Sequence, residues 1–185
     1  MKMKTIVVYY SRKGSNKYLA GKISKKLSCR IEEIKPILNI FLLFLLRINL
    51  GIKPLKHNIK EYDTVILCGP IWMGKIIPPL RSFFNKYNGK LNKLIFVTCC
   101  GRTDAKKYEK FGHGLVFNEV EKILKDKCIL CQAFPIGLVL PDGQKEDSDA
   151  FMKTHLNDEN FTGEIQVIFD NFIGKVSLES YNHQH

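Results

Sequence analysis

The sequence predicts an α/β fold, a doubly wound five-stranded parallel sheet with helices on both faces. Short β-rich runs alternate with helix-length segments along the 185-residue chain, and this alternation is typical of parallel sheets. The β-rich runs are nearly all apolar, as strands covered on both faces are. Five strands joined by right-handed crossovers fit a doubly wound sheet. The sequence contains no internal repeat, linker or low-complexity segment, so residues 1–185 are expected to form a single domain.

Each element follows from its own stretch of sequence. The predicted strands are residues 5–10, 29–34, 64–68, 93–99 and 128–139. The predicted helices are residues 16–27, 77–87, 106–124 and about 158–173. Residues 37–55 form an unusually apolar insertion between the second and third strands, with leucine and phenylalanine on almost every face. That insertion fits a packed lid or extra core element, a dimer or protein-partner surface, or a membrane contact.

Composition bears on the partners and the compartment. Lysine and arginine exceed aspartate and glutamate by 29 − 18 = 11, which suits anionic partners. The lysines are scattered, which favours a solvated surface or a docking face over nucleic-acid binding, for which the sequence has no motif. The apolar stretch 37–52 is interrupted by polar residues and is shorter than a membrane span of about 20 residues. No signal peptide is recognised, so we expect a cytoplasmic protein with reduced cysteines.

The most informative stretch is residues 8–20, V-Y-Y-S-R-K-G-S-N-K-Y-L-A, where an apolar strand leads into a polar loop and then a helix. Loop hydroxyls, backbone N–H groups and the helix dipole converge at such a junction and attract anions. Gly14 permits close approach of the backbone, and Lys13 adds positive charge. Ser11, Ser15 and Asn16 can donate to phosphate oxygens. The loop matches neither common nucleotide motif and indicates a phosphomonoester site, although alone it also fits a simple helix cap.

A second loop follows the third strand, and doubly wound sheets bind ligands beyond the carboxyl ends of their strands. This loop contains Pro70, Ile71, Trp72, Met73 and Gly74. Trp72 offers a flat face for stacking on an aromatic ligand, with a core position as the alternative. Gly74 can adopt a positive φ, so the peptide between Met73 and Gly74 is expected to rotate easily.

A third loop follows the fourth strand and contains Cys99, Cys100, Gly101 and, farther along, Asp104. Small residues at this position allow backbone N–H groups to face a heterocycle. The three loops together therefore predict a site for a phosphorylated aromatic cofactor.

The motifs Y-Y-S-x-x-G-x-x, G-P-x-W-x-G-x-x-x-P-P and V-T-C-x-G occur in the order and spacing of the flavodoxin-like family, which the chain resembles from about residue 4 to residue 140. The resemblance implies the strand order 2-1-3-4-5 and bound FMN. It implies that residues 11–16 hold the phosphate, that residues 70–74 flank the isoalloxazine ring, and that residues 99–101 approach its other side. Asp104 would lie near the ribityl chain or the ring edge. Lys13 and Asn16 stand where the family usually carries threonine, and the 37–55 insertion is unusually apolar for it.

The resemblance leaves three functions open. The first is an electron carrier, in which a carbonyl between Met73 and Gly74 swings toward the flavin N5–H and favours one-electron transfer. The second is an FMN-dependent NAD(P)H oxidoreductase acting on quinones or similar acceptors; neither function needs a side-chain base, and no catalytic residue is predicted. The third is a flavin-free interaction module. The expected partners are a redox partner protein or NAD(P)H, and residues 37–50 offer a surface for a homodimer.

Two other features carry weaker signals. Cys128 and Cys131 form a C-x-x-C sequence within a predicted strand, where residues i and i+3 point to opposite faces. We therefore expect buried structural cysteines there, and no further zinc ligands at matching spacing are evident. His113 lies between two glycines and is expected to be a packed or surface side chain rather than a catalytic one.

Overall fold

The computed structural model describes residues 3–38, 51–101, 113–145 and 147–181. The strands in this part of the chain are β1 (Thr5–Tyr9), β2 (Arg30–Glu33), β3 (Thr64–Cys68), β4 (Ile71–Trp72), β5 (Lys75–Ile76), β6 (Lys93–Cys100) and β7 (Cys128–Pro135). The helices are α1 (Ser15–Leu27), α2 (Pro78–Tyr87), α3 (His113–Leu124), α4 (Ser148–Lys153) and α5 (Glu164–Tyr181).

Five of the strands form one parallel sheet in the order β2-β1-β3-β6-β7. In chain order among these five, this is 2-1-3-4-5, so both the predicted fold class and the predicted strand order are confirmed. The remaining two strands, β4 and β5, pair antiparallel as a small hairpin after β3. None of the helices in the described part of the chain is long and apolar enough to cross a membrane.

Alternate residues of the central strands supply two separate cores, one on each face of the sheet. Ile6 and Leu67 face the core formed with α2 and α3, whereas Val7 and Ile66 face the core formed with α1 and α5. All four side chains are fully buried. This arrangement explains why the strands read as continuous apolar runs, because every position in the centre of the sheet is covered by a helix on one side or the other.

The structure differs from the sequence predictions mainly at element ends. The last predicted strand stops at Pro135 instead of residue 139, because the chain turns into a short 3-10 segment, Ile136–Val139. The Gly137 N–H there donates to the Gly101 carbonyl (3.0 Å), which ties this turn to the end of β6. The final helix begins at Glu164, after Gly163 at φ +62°. The β4–β5 hairpin and α4 were not predicted, and residues 39–50 and 102–112 lie outside the described residues.

One prediction about side-chain direction is wrong. Cys128 and Cys131 were expected to be buried on opposite faces of a regular strand, yet both are only partly buried and both pack against the core shared with α2 and α3. The reason is a β-bulge at Ile129: Leu94 pairs with Cys128, but the next residue of β6 pairs with Leu130. An extra residue in one strand shifts the alternation of side chains by one position.

A buried carboxylate fastens edge strand β2 to the chain that follows the 37–55 insertion. The Glu32 carboxylate accepts hydrogen bonds from the backbone N–H groups of Lys56 and His57 and lies 2.7 Å from His57 Nδ1. Only 9% of its side chain is exposed. The carboxylate is therefore the partner of one exposed backbone donor, at Lys56, and one partly buried donor, at His57.

Removal of this carboxylate is expected to weaken the fold. Glu32→Ala should lower the free energy of unfolding by about 2 kcal/mol, because it deprives the partly buried His57 N–H and imidazole, and the Lys56 N–H, of a charged acceptor. Urea denaturation measures the change. Glu33→Ala is the matched control, since Glu33 follows directly in the same strand but is exposed, and its effect should stay within about 0.5 kcal/mol. Equal losses in the two variants would contradict this role for Glu32.

Candidate cofactor site

A cleft opens where β1, β3 and β6 end, at the carboxyl edge of the sheet. It holds about 890 Å³, open solvent at its mouth included. The sequence-predicted residues that line it are Ser11, Lys13, Ser15, Asn16, Pro70, Ile71, Trp72, Cys99, Cys100 and Gly101. Gly14, Met73 and Gly74 lie beside these residues without lining the cleft, and Asp104 lies outside the described residues.

The loop after β1 presents the N-terminus of α1 to this cleft. Gly14 is the N-cap residue at φ 104°, and it has no side chain with which to cap the first-turn N–H groups. Its own N–H donates to Ser11 Oγ (3.1 Å), which closes the loop. No acidic residue occupies the first turn, so the positive end of the helix dipole is not offset locally. These features together make an anion-binding position.

Three side chains of the same loop are held by other parts of the chain. The Lys13 ammonium donates to the Met152 carbonyl (2.6 Å), and Ser15 Oγ accepts from the Leu156 N–H (3.2 Å). Asn16 Oδ1 accepts from the Cys99 N–H (3.0 Å) and is almost fully buried. Asn16 therefore joins the first loop to the third, in addition to any donation from its amide nitrogen.

The loop after β3 is a tight hairpin whose two central residues both have positive φ, Met73 at 49° and Gly74 at 67°. Two-residue hairpins favour the type I′ turn, which has a positive φ at both central residues and matches the twist of the flanking strands. Met73 pays a conformational cost there because it carries a Cβ, and 67% of it is exposed. Trp72, directly before it, lines the cleft with the Arg12 guanidinium 5.0 Å from the centre of its ring, a cation–π distance.

The loop after β6 contributes two thiols that stay neutral. Burial raises the pKa of Cys100 to about 12 and also raises the pKa of Cys99. Burial lowers the pKa of His113, whose Nδ1 lies 3.9 Å from Cys100 Sγ. Thiol and imidazole are therefore both uncharged near neutral pH. Because the thiolate is the reactive form of cysteine, this pair does not have the properties of a catalytic nucleophile. His113 is buried at the start of α3 and packs on Phe117, as a structural histidine would.

A wall of the cleft was not anticipated from sequence. The additional lining residues are Tyr10, Arg12, Ile77, Ile136, Phe151, Met152, Thr154 and His155. Four of them belong to the segment around α4, which folds back over the loop after β1. Because α4 has only six residues, it shows no helical periodicity by which the sequence could reveal it. Tyr10 and Arg12 flank Ser11 in the predicted loop, so the motif itself pointed to their position.

The cleft combines an anion-binding loop at the N-terminus of α1 with two further loops at the ends of β3 and β6. A family model described as a flavodoxin domain matches residues 49–184, which is most of the chain. The chain belongs to the flavodoxin family. The recognised resemblance is thereby confirmed, and the match extends well beyond residue 140, to the end of α5.

Solved structures show the same fold as this flavodoxin domain. A flavoprotein from Lactobacillus acidophilus, solved in complex with FMN, is 16% identical with a TM-score of 0.56, and the match covers 71% of this chain and 93% of that chain. A WrbA-like flavodoxin from Agrobacterium tumefaciens is 14% identical with a TM-score of 0.55, covering 98% of this chain and 99% of that chain. A search of curated proteins finds no significant match. At these identities the likeness concerns the fold.

Proposed function

We propose that this flavodoxin-family protein binds FMN and transfers electrons through it, as a carrier for a redox partner protein. The observation that carries the proposal is the convergence of three loops on one cleft at the carboxyl ends of β1, β3 and β6. One loop offers an anion site, one an aromatic wall and one small residues with neutral thiols. FMN combines an anionic phosphate with a flat, redox-active ring, and that combination matches the three loops.

The fit for the phosphate is supported by the backbone of the first loop. Gly14 has open space where a Cβ would stand and a φ of 104°, so an anion can approach the N-terminus of α1 closely. Arg12 and Lys13 line the adjoining wall, and the residues described as lining the cleft include no carboxylate. The local field therefore favours an anion at this end of the cleft.

The fit for the ring is supported by apolar side chains farther along the cleft. Ile71, Trp72, Ile77 and Phe151 supply flat or aliphatic walls, which suit an aromatic heterocycle. FMN would supply the redox chemistry when bound, and the chain would supply orientation and the electrostatic setting. The raised pKa values of Cys99 and Cys100 keep both thiols neutral there, so they add no negative charge beside the ring.

Electron carriage, rather than hydride transfer, is favoured by the hairpin after β3. Rotation of the Met73–Gly74 peptide changes ψ of Met73 and φ of Gly74, and glycine accepts either sign of φ, so Gly74 leaves this rotation open. The turn is exposed and follows Trp72 directly. A peptide that can turn its carbonyl toward the cleft can respond to the protonation state of a bound ring. The basic surface, with a net charge of +11, suits an acidic redox partner.

Anaerobic, stepwise reduction of the FMN-loaded protein tests this proposal. A carrier should accumulate one-electron-reduced flavin, seen as new absorbance at long wavelength, and should not turn over NADH or NADPH. Reduction in a single two-electron step, with steady NAD(P)H oxidation in the presence of a quinone, would instead identify an FMN-dependent oxidoreductase. Protein that takes up no FMN from solution would overturn both and leave the flavin-free module.

Lys13 is expected to contribute to recognition of the phosphate. Lys13→Met should weaken FMN binding about fivefold, equivalent to about 1 kcal/mol for an exposed charge, while leaving riboflavin binding unchanged. Riboflavin lacks the phosphate, so the ratio of the two dissociation constants isolates that interaction. Fluorescence titration measures both. Lys17→Met is the control, because Lys17 is an exposed residue of α1 that does not line the cleft. A loss shared equally by FMN and riboflavin would contradict the assignment.

A further inference from the structure

The β-bulge in β7 brings two cysteine side chains together at the end of the sheet opposite the cleft. Cys128 and Cys131 face the core shared with α2 and α3, whereas the intervening Ile129 and Leu130 face the other core. The two sulfur atoms lie 3.6 Å apart. Without the bulge, residues three apart in a strand would point in opposite directions.

The bulge also shortens the backbone distance between the two cysteines. Cys128 and Cys131 pair with Leu94 and Phe96, which are only two positions apart on β6. At a rise of about 3.3 Å per residue, that spacing is about 6.6 Å. Disulfides usually join Cα atoms about 4.4 to 6.8 Å apart, so a disulfide fits this backbone with a small movement of the side chains. Three positions of a regular strand would span about 10 Å, which is too far.

The surroundings distinguish these two thiols from the three buried ones. Cys128 and Cys131 are partly exposed, whereas Cys68, Cys99 and Cys100 are buried. The hydrogen bond from the Cys131 thiol lowers the pKa of Cys128, against opposing contributions from burial and from the Glu121 charge. The same hydrogen bond raises the pKa of Cys131. Cys128 is therefore the thiol that ionises first, and Cys131 lies in contact with it.

We propose that Cys128 and Cys131 form a reversible dithiol–disulfide site that reacts with low-molecular-weight disulfides. The Cys128 thiolate attacks one sulfur of the disulfide, which forms a mixed disulfide and releases one small thiolate. Cys131 then loses its proton and attacks the Cys128 sulfur, which releases the second small thiolate. The two protein thiols are oxidised to one disulfide, and the external disulfide is reduced to two thiols, which take up the two protons released.

This site is independent of the proposed cofactor chemistry. Cys128 is the first residue of β7, whereas Ile136, which lines the cleft, follows the last residue of that strand. Its test therefore needs no FMN and reports nothing about electron transfer. The chain contains six cysteines, so the test counts thiols and maps them.

To test this proposal, the full chain is incubated with oxidised glutathione in the presence of a metal chelator. The free thiols are then counted after denaturation. We expect loss of two of the six thiols, a mass decrease of two hydrogen atoms, and a peptide in which Cys128 is linked to Cys131. A reducing thiol should restore all six. Retention of six thiols, linkage of other cysteines, or disulfide-linked dimers in place of the internal bond would each overturn the proposal.

Single substitutions separate the two steps. Cys131→Ser should stop the reaction at a mixed disulfide and add the mass of one glutathionyl group to Cys128. Cys128→Ser should react more slowly, because burial and the Glu121 charge raise the pKa of Cys131 even without Cys128. Cys29→Ser is the matched control, since Cys29 is also partly exposed, and this variant should still lose two thiols. Equal rates in the Cys128 and Cys131 variants would contradict the assigned order of attack.

Discussion

Gly69→Ala is expected to destabilise the protein by about 1 to 3 kcal/mol, the usual cost of overpacking a filled core. A Cβ at Gly69 would lie 2.6 Å from Leu80 Cδ2 and 2.7 Å from Leu80 Cδ1, closer than real Cβ atoms come to such neighbours. Leu80 cannot swing away easily, because its side chain is fully buried against Phe83 and other residues of the core shared with α2 and α3. Urea denaturation measures the loss.

Two further variants make this prediction specific. Gly21→Ala is the control, because a Cβ on this exposed glycine of α1 meets nothing within 4 Å; it should raise stability by about 0.5 to 1 kcal/mol through helix propensity. Leu80→Ala removes the atoms that the new Cβ would strike. In that background Gly69→Ala should cost much less than in the wild-type chain, a non-additivity expected of residues in contact. Fully additive losses would contradict the steric explanation.

The sheet could be predicted from sequence because its signal recurs along the chain. The central strands β1, β3 and β6 are apolar over most of their length, and helix-length segments occur between strands. The fold class therefore rests on a repeated pattern, and an error in one element does not change it. The β4–β5 hairpin gives no such pattern, since each of its strands has two residues. The bulge at Ile129 also has no signal in the sequence, because nothing in the segment C-I-L-C indicates which residue is left out of the pairing.

The parts of the site that lie at strand ends could be predicted from sequence. The wall that comes from a segment distant in sequence could not. The loops after β1, β3 and β6 meet because the carboxyl ends of parallel strands share one edge. The wall formed by Phe151 and Met152 comes from the connection between β7 and α5, far away in sequence. It reaches the cleft through contacts such as the hydrogen bond from Lys13 to the Met152 carbonyl and the packing of Phe151 near Gly101. Local sequence contains no signal for such contacts.

Gly14→Ala is the substitution expected to reduce FMN binding most, by tenfold or more, which corresponds to about 1.4 kcal/mol. The cause is conformational. Gly14 has a φ of 104°, which is strained for alanine at a cost of about 1 to 3 kcal/mol. The chain can relieve that strain only by moving the loop from Ser11 to Gly14, and this loop sets the direction of the first N–H groups of α1.

Gly163→Ala separates this effect from a general loss of stability. Gly163 also has a positive φ, 62°, with nothing within 4 Å of a built Cβ, and it precedes α5 outside the cleft lining. Its substitution should cost about 1 kcal/mol of stability through the same kind of strain, with FMN affinity unchanged. Fluorescence titration gives the affinities, and urea denaturation gives the stabilities. If Gly14→Ala bound FMN as tightly as Gly163→Ala, the anion would not depend on the N-terminus of α1, and the phosphate would have to be held elsewhere in the cleft.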